Sequence, residues 1–204
     1  MEIKNVIYFN QLSYCILPVE DNMHEFNSNL IKRNYTFPST NQQRKNEHFT
    51  GLKSIAKIIH SPLVLDRSET EGIYSEDAHL SITHTRENAA AIVHQHFNPG
   101  IDIENFREKI LVIQHKFVRD DEKKLNVFSN EIQFFTLIWS VKEAIYKAHR
   151  KGNADFKKDI QIVEIDFFKR SLKAKLFDNI YFKLNFKIED TFLISYTTHL
   201  KIKE

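Results

Sequence analysis

The chain of 204 residues is 42% hydrophobic and 27% charged, the balance of a soluble globular protein built as one large domain or two small halves. Seventeen Phe and seven Tyr supply ample apolar area for a core, and only four Gly and four Pro exclude collagen-like and low-complexity architectures. The net charge of +2 is unevenly spread: residues 142–187 hold twelve Lys and Arg against six Asp and Glu, leaving 17 against 21 elsewhere. Such a basic C-terminal part either attracts an anionic partner or is a solvated, lysine-rich sheet face.

No apolar run approaches the roughly 20 residues of a membrane-spanning helix. The first ten residues alternate apolar and polar side chains and carry Glu2 and Lys4, unlike a signal peptide. The single cysteine, Cys15, has no internal disulfide partner and reads as a small core residue in a reducing compartment. A cytoplasmic protein without a membrane segment is expected.

In chain order, residues 2–18 predict a strand pair or a strand with an irregular segment. Met23, Phe26, Leu30 and Ile31 predict a helix over Asp21–Lys32. After Pro38-Ser39-Thr40, with Thr40 or Asn41 as cap, Phe49, Leu52, Ile55, Ala56 and Ile59 trace one face of a helix over Gln42–His60. Residues 61–78 read as loop with a short strand. Two strands, Leu80–Thr85 and Ala89–His94, follow, and then the turn Asn98-Pro99-Gly100 and a short strand over Ile101–Glu104. Helical patterns run over 107–116 and 131–150. Ile160–Phe168, Leu172–Phe177, Ile180–Ile188 and Thr191–Thr198 alternate as an antiparallel meander. The mixture is α+β.

Two segments can carry chemistry. In Gly100-Ile-Asp-Ile-Glu104, residues two apart share a strand face, so Asp102 and Glu104 present two carboxylates together. Adjacent carboxylates repel unless a proton or cation lies between them, and all-oxygen ligation suits a hard ion such as Mg²⁺. In Trp139-Ser-Val-Lys-Glu-Ala-Ile-Tyr-Lys147, Glu143 and Lys147 lie four apart on one helix face, with Lys142 one position off it. Alone, the first is an ordinary polar strand face and the second an ordinary helix with one Glu–Lys pair. His94 and His96 share a strand face as a transition-metal pair might, but no further ligand falls at matching spacing. No P-loop, dinucleotide-binding glycine pattern or Ser-His-Asp signature is present. The Lys/Arg and Phe/Tyr interleaving over 156–187 follows from sheet alternation without any nucleic-acid-binding signature.

Together, Gly100–Glu104 and, about 35 residues later, Trp139–Lys147 resemble the paired signature of the 4′-phosphopantetheinyl transferase superfamily. Leu80-Ser-Ile-Thr-His-Thr85 looks like that family's third motif, and Lys116-Phe117 with Glu122 like a weaker element. Order and spacing are similar to the larger, monomeric, surfactin-synthetase-activating type, over about residues 42–150.

The resemblance implies a pseudo-two-fold α+β fold: two similar halves, 1–98 and 99–204, each a helix on a small, mainly antiparallel sheet, with coenzyme A in the cleft between them. It implies a monomeric, Mg²⁺-dependent enzyme, with Mn²⁺ as the alternative ion. Such an enzyme moves the phosphopantetheine arm of coenzyme A onto a serine of an apo acyl or peptidyl carrier protein, releasing adenosine 3′,5′-bisphosphate. By the same resemblance, Asp102, Glu104 and Glu143 match the metal ligands, and Glu143 also matches the general base, acting directly or through water. Lys142 and Lys147 match the residues that neutralise the pyrophosphate, and Thr83 and His84 match coenzyme A contacts. Arg44, Lys45 and His48, ahead of Gly51, resemble the basic element near the 3′-phosphate. The chain departs from the pattern at two points: the usual Gly-Lys-Pro is Gly72-Ile-Tyr74, and the arginine many members place after the glycine is Leu52, followed by Lys53. A degenerate member that binds coenzyme A or a carrier without transfer is the alternative; an unrelated Mg²⁺-dependent phosphohydrolase ranks third.

Overall fold

The computed structural model describes residues 6–9, 12–19, 41–59, 65–68, 72–75 and 78–202. The elements are β1 (Val6–Phe9), β2 (Leu12–Pro18), α1 (Gln42–Ile58), β3 (Asp66–Ser68), β4 (Gly72–Tyr74), β5 (His79–His84), β6 (Asn88–His94) and β7 (Ile101–Asn105). They continue with α2 (Lys109–Ile113), α3 (Asp120–Lys123), α4 (Glu131–His149), β8 (Ile160–Asp166), β9 (Ser171–Leu176), β10 (Ile180–Ile188) and β11 (Phe192–Ile202). The helix expected over Asp21–Lys32 lies outside the described residues. Two compact units divide between Ile103 and Glu104, inside β7, whereas the sequence motifs put the join at 98/99.

In the first unit, α1 starts where the Asn41 side chain accepts the Arg44 N–H at 3.1 Å, so Asn41, not Thr40, is the cap. Its apolar residues Phe49, Leu52, Ile55 and Ile58 are buried, and the helix packs on β2, β5 and β6. The sheet order is β1-β2-β6-β5, antiparallel throughout. Central β6 is buried along Ala89-Ala90-Ala91-Ile92-Val93, and small side chains there let the helix come close. Gly51 supports the same approach, because a Cβ there would lie 3.4 Å from the Ile82 side chain. The loop expected over 61–78 contains two short strands, β3 and β4, paired as a hairpin.

Cys15 sits in this core at 0% exposure, and burial pushes its thiol up from 9.0 to about 11. Since the thiolate is the nucleophile, the native protein at pH 8 is expected to leave a chromogenic disulfide reagent uncoloured over hours. One equivalent should react on denaturation. Prompt reaction in the native state would contradict a buried Cys15.

In the second unit, Asn130 caps α4 by accepting the N–H groups of Ile132 (2.9 Å) and Gln133 (3.4 Å), a cap worth about 1 kcal/mol. Arg150, in the left-handed region at φ 57°, ends it. Most of its circumference is buried: Phe134, Phe135, Leu137, Ile138, Val141, Ala144, Ile145 and Ala148 join Leu172, Ala174, Phe182, Leu184 and Phe186 in one core. The sheet order is β7-β11-β10-β9-β8. Strands β8–β11 form the antiparallel meander that their alternation predicts. The helix expected over 107–116 is shorter: α2 is five residues long and passes into a 3₁₀ turn over Gln114–Lys116, and it has no side-chain cap. Each unit is thus a long helix on a mainly antiparallel sheet, the α+β fold that the motifs imply. Among the described residues, no helix is long and apolar enough to cross a membrane.

Candidate active site

On β7, Ile101 and Ile103 are buried as the alternation requires, but so is Asp102, at 3% exposure; Glu104 is half-buried. Asp102 is buried because β5 supplies its partner. The Thr83 hydroxyl donates to Asp102 Oδ1 at 3.1 Å and accepts the Ile103 N–H at 3.3 Å. Asp102 Oδ2 is buried and takes no hydrogen bond. Thr83, expected to face coenzyme A, therefore turns its hydroxyl to β7. In the second unit, the indole N–H of Trp139 donates to Glu104 Oε1 at 2.9 Å.

That hydrogen bond identifies the relevant face of α4. Trp139, Glu143 and Lys147 follow at four-residue spacing, so their side chains lie one above another. All three are half-buried on a helix otherwise largely enclosed. Glu104 thus adjoins the row that carries Glu143 and Lys147.

Lys142 is a correction. It was expected to reach an anionic ligand, yet it is 0% exposed. Its ammonium donates to the carbonyls of Phe117 (2.7 Å), Phe156 (2.8 Å) and Ile160 (2.9 Å) and to the Glu122 carboxylate (2.9 Å). With its three protons spread over these four acceptors, nothing is left for a phosphate. Burial pulls Lys142 below the ordinary lysine value, and Glu122 opposes the shift. Glu122 also accepts the N–H groups of Arg119 and Ile162 at 2.8 Å each. The pair is a buried tie among α3, α4 and β8.

In the first unit, His84 ends β5 with Nδ1 3.1 Å from Glu47 Oε2, and Glu47 in turn accepts from Gln43 at 3.2 Å. Sequence reasoning missed Glu47. The available signal was one acidic residue within Arg44-Lys-Asn-Glu-His48, on the side of α1 that is buried. Arg44 is exposed, Lys45 half-buried and His48 buried at 4%. His94 is structural: its Nδ1 accepts the N–H groups of His96 (2.9 Å) and Phe97 (3.2 Å), which consumes one ligating nitrogen of the His94/His96 pair.

The basic stretch is less bare than its composition suggests. Besides Lys142, Lys169, Lys173, Lys175 and Lys187 face Asp166, Glu164, Asp178 and Glu189 at 3.3, 2.7, 3.0 and 2.7 Å.

Among the described residues, no three His, Cys, Asp or Glu side chains are gathered so as to hold a metal ion by themselves. The first unit offers Asp102, which accepts from the Thr83 hydroxyl, and the second offers Glu104, which accepts from the Trp139 indole beside the α4 row. A search of curated proteins finds no match to the chain. The family model of the 4′-phosphopantetheinyl transferase superfamily matches residues 98–197, the stretch that carries Asp102, Glu104, Trp139, Glu143 and Lys147.

Proposed function

We propose that the protein transfers the phosphopantetheine arm of coenzyme A to a serine of an apo acyl or peptidyl carrier protein, as the larger monomeric, surfactin-synthetase-activating enzymes do. The observation that carries this reading is the Trp139–Glu104 hydrogen bond, which joins the β7 carboxylate to the helix face bearing Glu143 and Lys147 within the matched stretch.

The donor set fits Mg²⁺. This ion prefers oxygen, keeps several waters and is commonly bound by one or two carboxylates together with substrate phosphates, so a self-sufficient cage of three side chains is not required. Asp102 and Glu104 would hold it, with Glu143 as the third carboxylate. When bound, the ion would neutralise the pyrophosphate and stabilise the leaving phosphate.

The chain's own residues do the rest. Glu143, directly or through a water, takes the proton of the carrier serine as its oxygen attacks the β-phosphorus. The bond from that phosphorus to the bridging oxygen breaks, and adenosine 3′,5′-bisphosphate leaves with charge that Lys147 offsets. His84, oriented by Glu47, and Arg44 and Lys45 at the start of α1 serve the coenzyme A phosphates. An acidic carrier would be steered by the basic C-terminal part.

Chromatography of the nucleotide product tests the reading: adenosine 3′,5′-bisphosphate should appear only with Mg²⁺, coenzyme A and an apo carrier all present. Coenzyme A binding with no release would indicate the non-transferring binder, and release of phosphate without a carrier would indicate a phosphohydrolase. Calorimetry separates the lysines: Lys147→Ala should weaken coenzyme A binding by about tenfold, as for loss of one charge-assisted contact, and Lys151→Ala should not. Equal affinities would remove Lys147 from the site.

A further inference from the structure

Among the described residues, β8 ends its sheet, with β9 as its one strand neighbour. A sheet edge presents a row of backbone groups on which a strand of another chain can pair. The sequence of β8 sharpens that hazard: Ile160-Gln-Ile-Val-Glu-Ile-Asp166 is rich in β-branched residues and free of Gly and Pro, as strand-adding segments are. We infer that the Lys142–Glu122 pair guards this edge, occupying the backbone positions at which a strand of a second copy of the chain would join the sheet. This task is independent of the proposed transfer.

Two contacts define the guard. The Ile160 carbonyl accepts from Lys142 Nζ at 2.9 Å, and the Ile162 N–H donates to Glu122 Oε1 at 2.8 Å. A carbonyl and an N–H two residues apart are the groups that one residue of a parallel strand engages, through its own N–H and C=O. The ammonium stands in for that N–H and the carboxylate for that C=O. Neither side chain is loose: both are 0% exposed, Lys142 also donates to the Phe117 and Phe156 carbonyls, and Glu122 also accepts the Arg119 N–H. A second obstacle follows directly. The register of β8 on β9 shifts between Ile162 and Glu164, and such irregularities turn an edge away from regular pairing. Val163, at that shift, is 50% exposed. Burying an ion pair is a costly way to add stability, and such a pair is better accounted for where it excludes an alternative arrangement. Here the excluded arrangement is strand addition at β8.

The test is light scattering of the folded full chain against concentration, with urea unfolding of the same preparations. Wild type should stay at the mass of one chain, and Lys142→Met should rise to the mass of two or more. Leu184→Ala, which opens a cavity in the core of the same unit and leaves the edge closed, controls for destabilisation and should stay at one chain. Val163→Lys added to Lys142→Met should return the mass to one chain without restoring the urea midpoint, because an edge lysine blocks pairing without rebuilding the tie. Equal association in Lys142→Met and Leu184→Ala, or association indifferent to Val163→Lys, would overturn the inference. Hydrogen exchange on the wild type needs no variant. The Ile162 amide, although on an edge strand, should be as protected as the Leu184 amide of central β10. An Ile162 amide that exchanges at the rate of an open chain would overturn the inference as well.

Discussion

Glu143→Ala is expected to lower the turnover of phosphopantetheine transfer by at least about 10²–10³-fold, the usual cost of removing one preorganised electrostatic group, and to leave the urea unfolding midpoint nearly unchanged. Glu143 is half-buried on the one open stripe of α4, while the helix is held by the buried residues of its other faces. Alanine is moreover the better helix former, so the fold has little reason to respond. Glu143→Gln separates charge from size: it keeps the volume and a hydrogen-bonding capacity but neither a base nor an anionic ligand. It should fall as far as alanine. A glutamine variant turning over at the wild-type rate, measured by single-turnover carrier modification with circular dichroism as the folding control, would remove Glu143 from the chemistry.

The neighbouring residue should behave in the opposite way. Lys142→Met is expected to destabilise the protein by about 3–5 kcal/mol, the usual consequence of leaving a buried charge without its partner. Glu122 would keep only the Arg119 and Ile162 N–H groups, and the carbonyls of Phe117, Phe156 and Ile160 would lose their common donor. Replacing both members of some buried pairs with apolar residues restores stability. Here Glu122→Leu with Lys142→Met should not, because the three carbonyls and two N–H groups stay behind. Denaturant unfolding of the single and double variants decides the matter. A Lys142→Met protein as stable as wild type would show that the ammonium is not a structural tie.

The contrast between Lys142 and Glu143 shows where sequence reading stops. The meander β8–β11 was legible because burial alternates along β9 and β10 as Leu172, Ala174, Leu176 and Phe182, Leu184, Phe186, with Lys173, Lys175, Lys183 and Asn185 between them. Helix α4 was legible from its helical pattern, and the Asn130 cap emerged only in the structure. The strand that carries Asp102 and Glu104 and the helix that carries Glu143 and Lys147 were legible too. The task of Lys142 was not, because its acceptors come from positions 117, 122, 156 and 160, and no local pattern announces that four oxygens will meet at one point. The partner of Thr83 was not legible for the same reason: its hydroxyl is used 19 residues further along, on β7. Glu47 was passed over because its partner, His84, lies on another element. In each case the element was legible, and the long-range partner that sets the side chain's task was not.

The most direct measurement is intact-protein mass spectrometry of apo acyl and apo peptidyl carrier proteins incubated with the full chain, coenzyme A and Mg²⁺. The account predicts a gain of one phosphopantetheine arm per carrier, abolished by EDTA and by Glu143→Ala. Carriers of both kinds that remain at their apo mass, in the presence of protein that still binds coenzyme A, would contradict it.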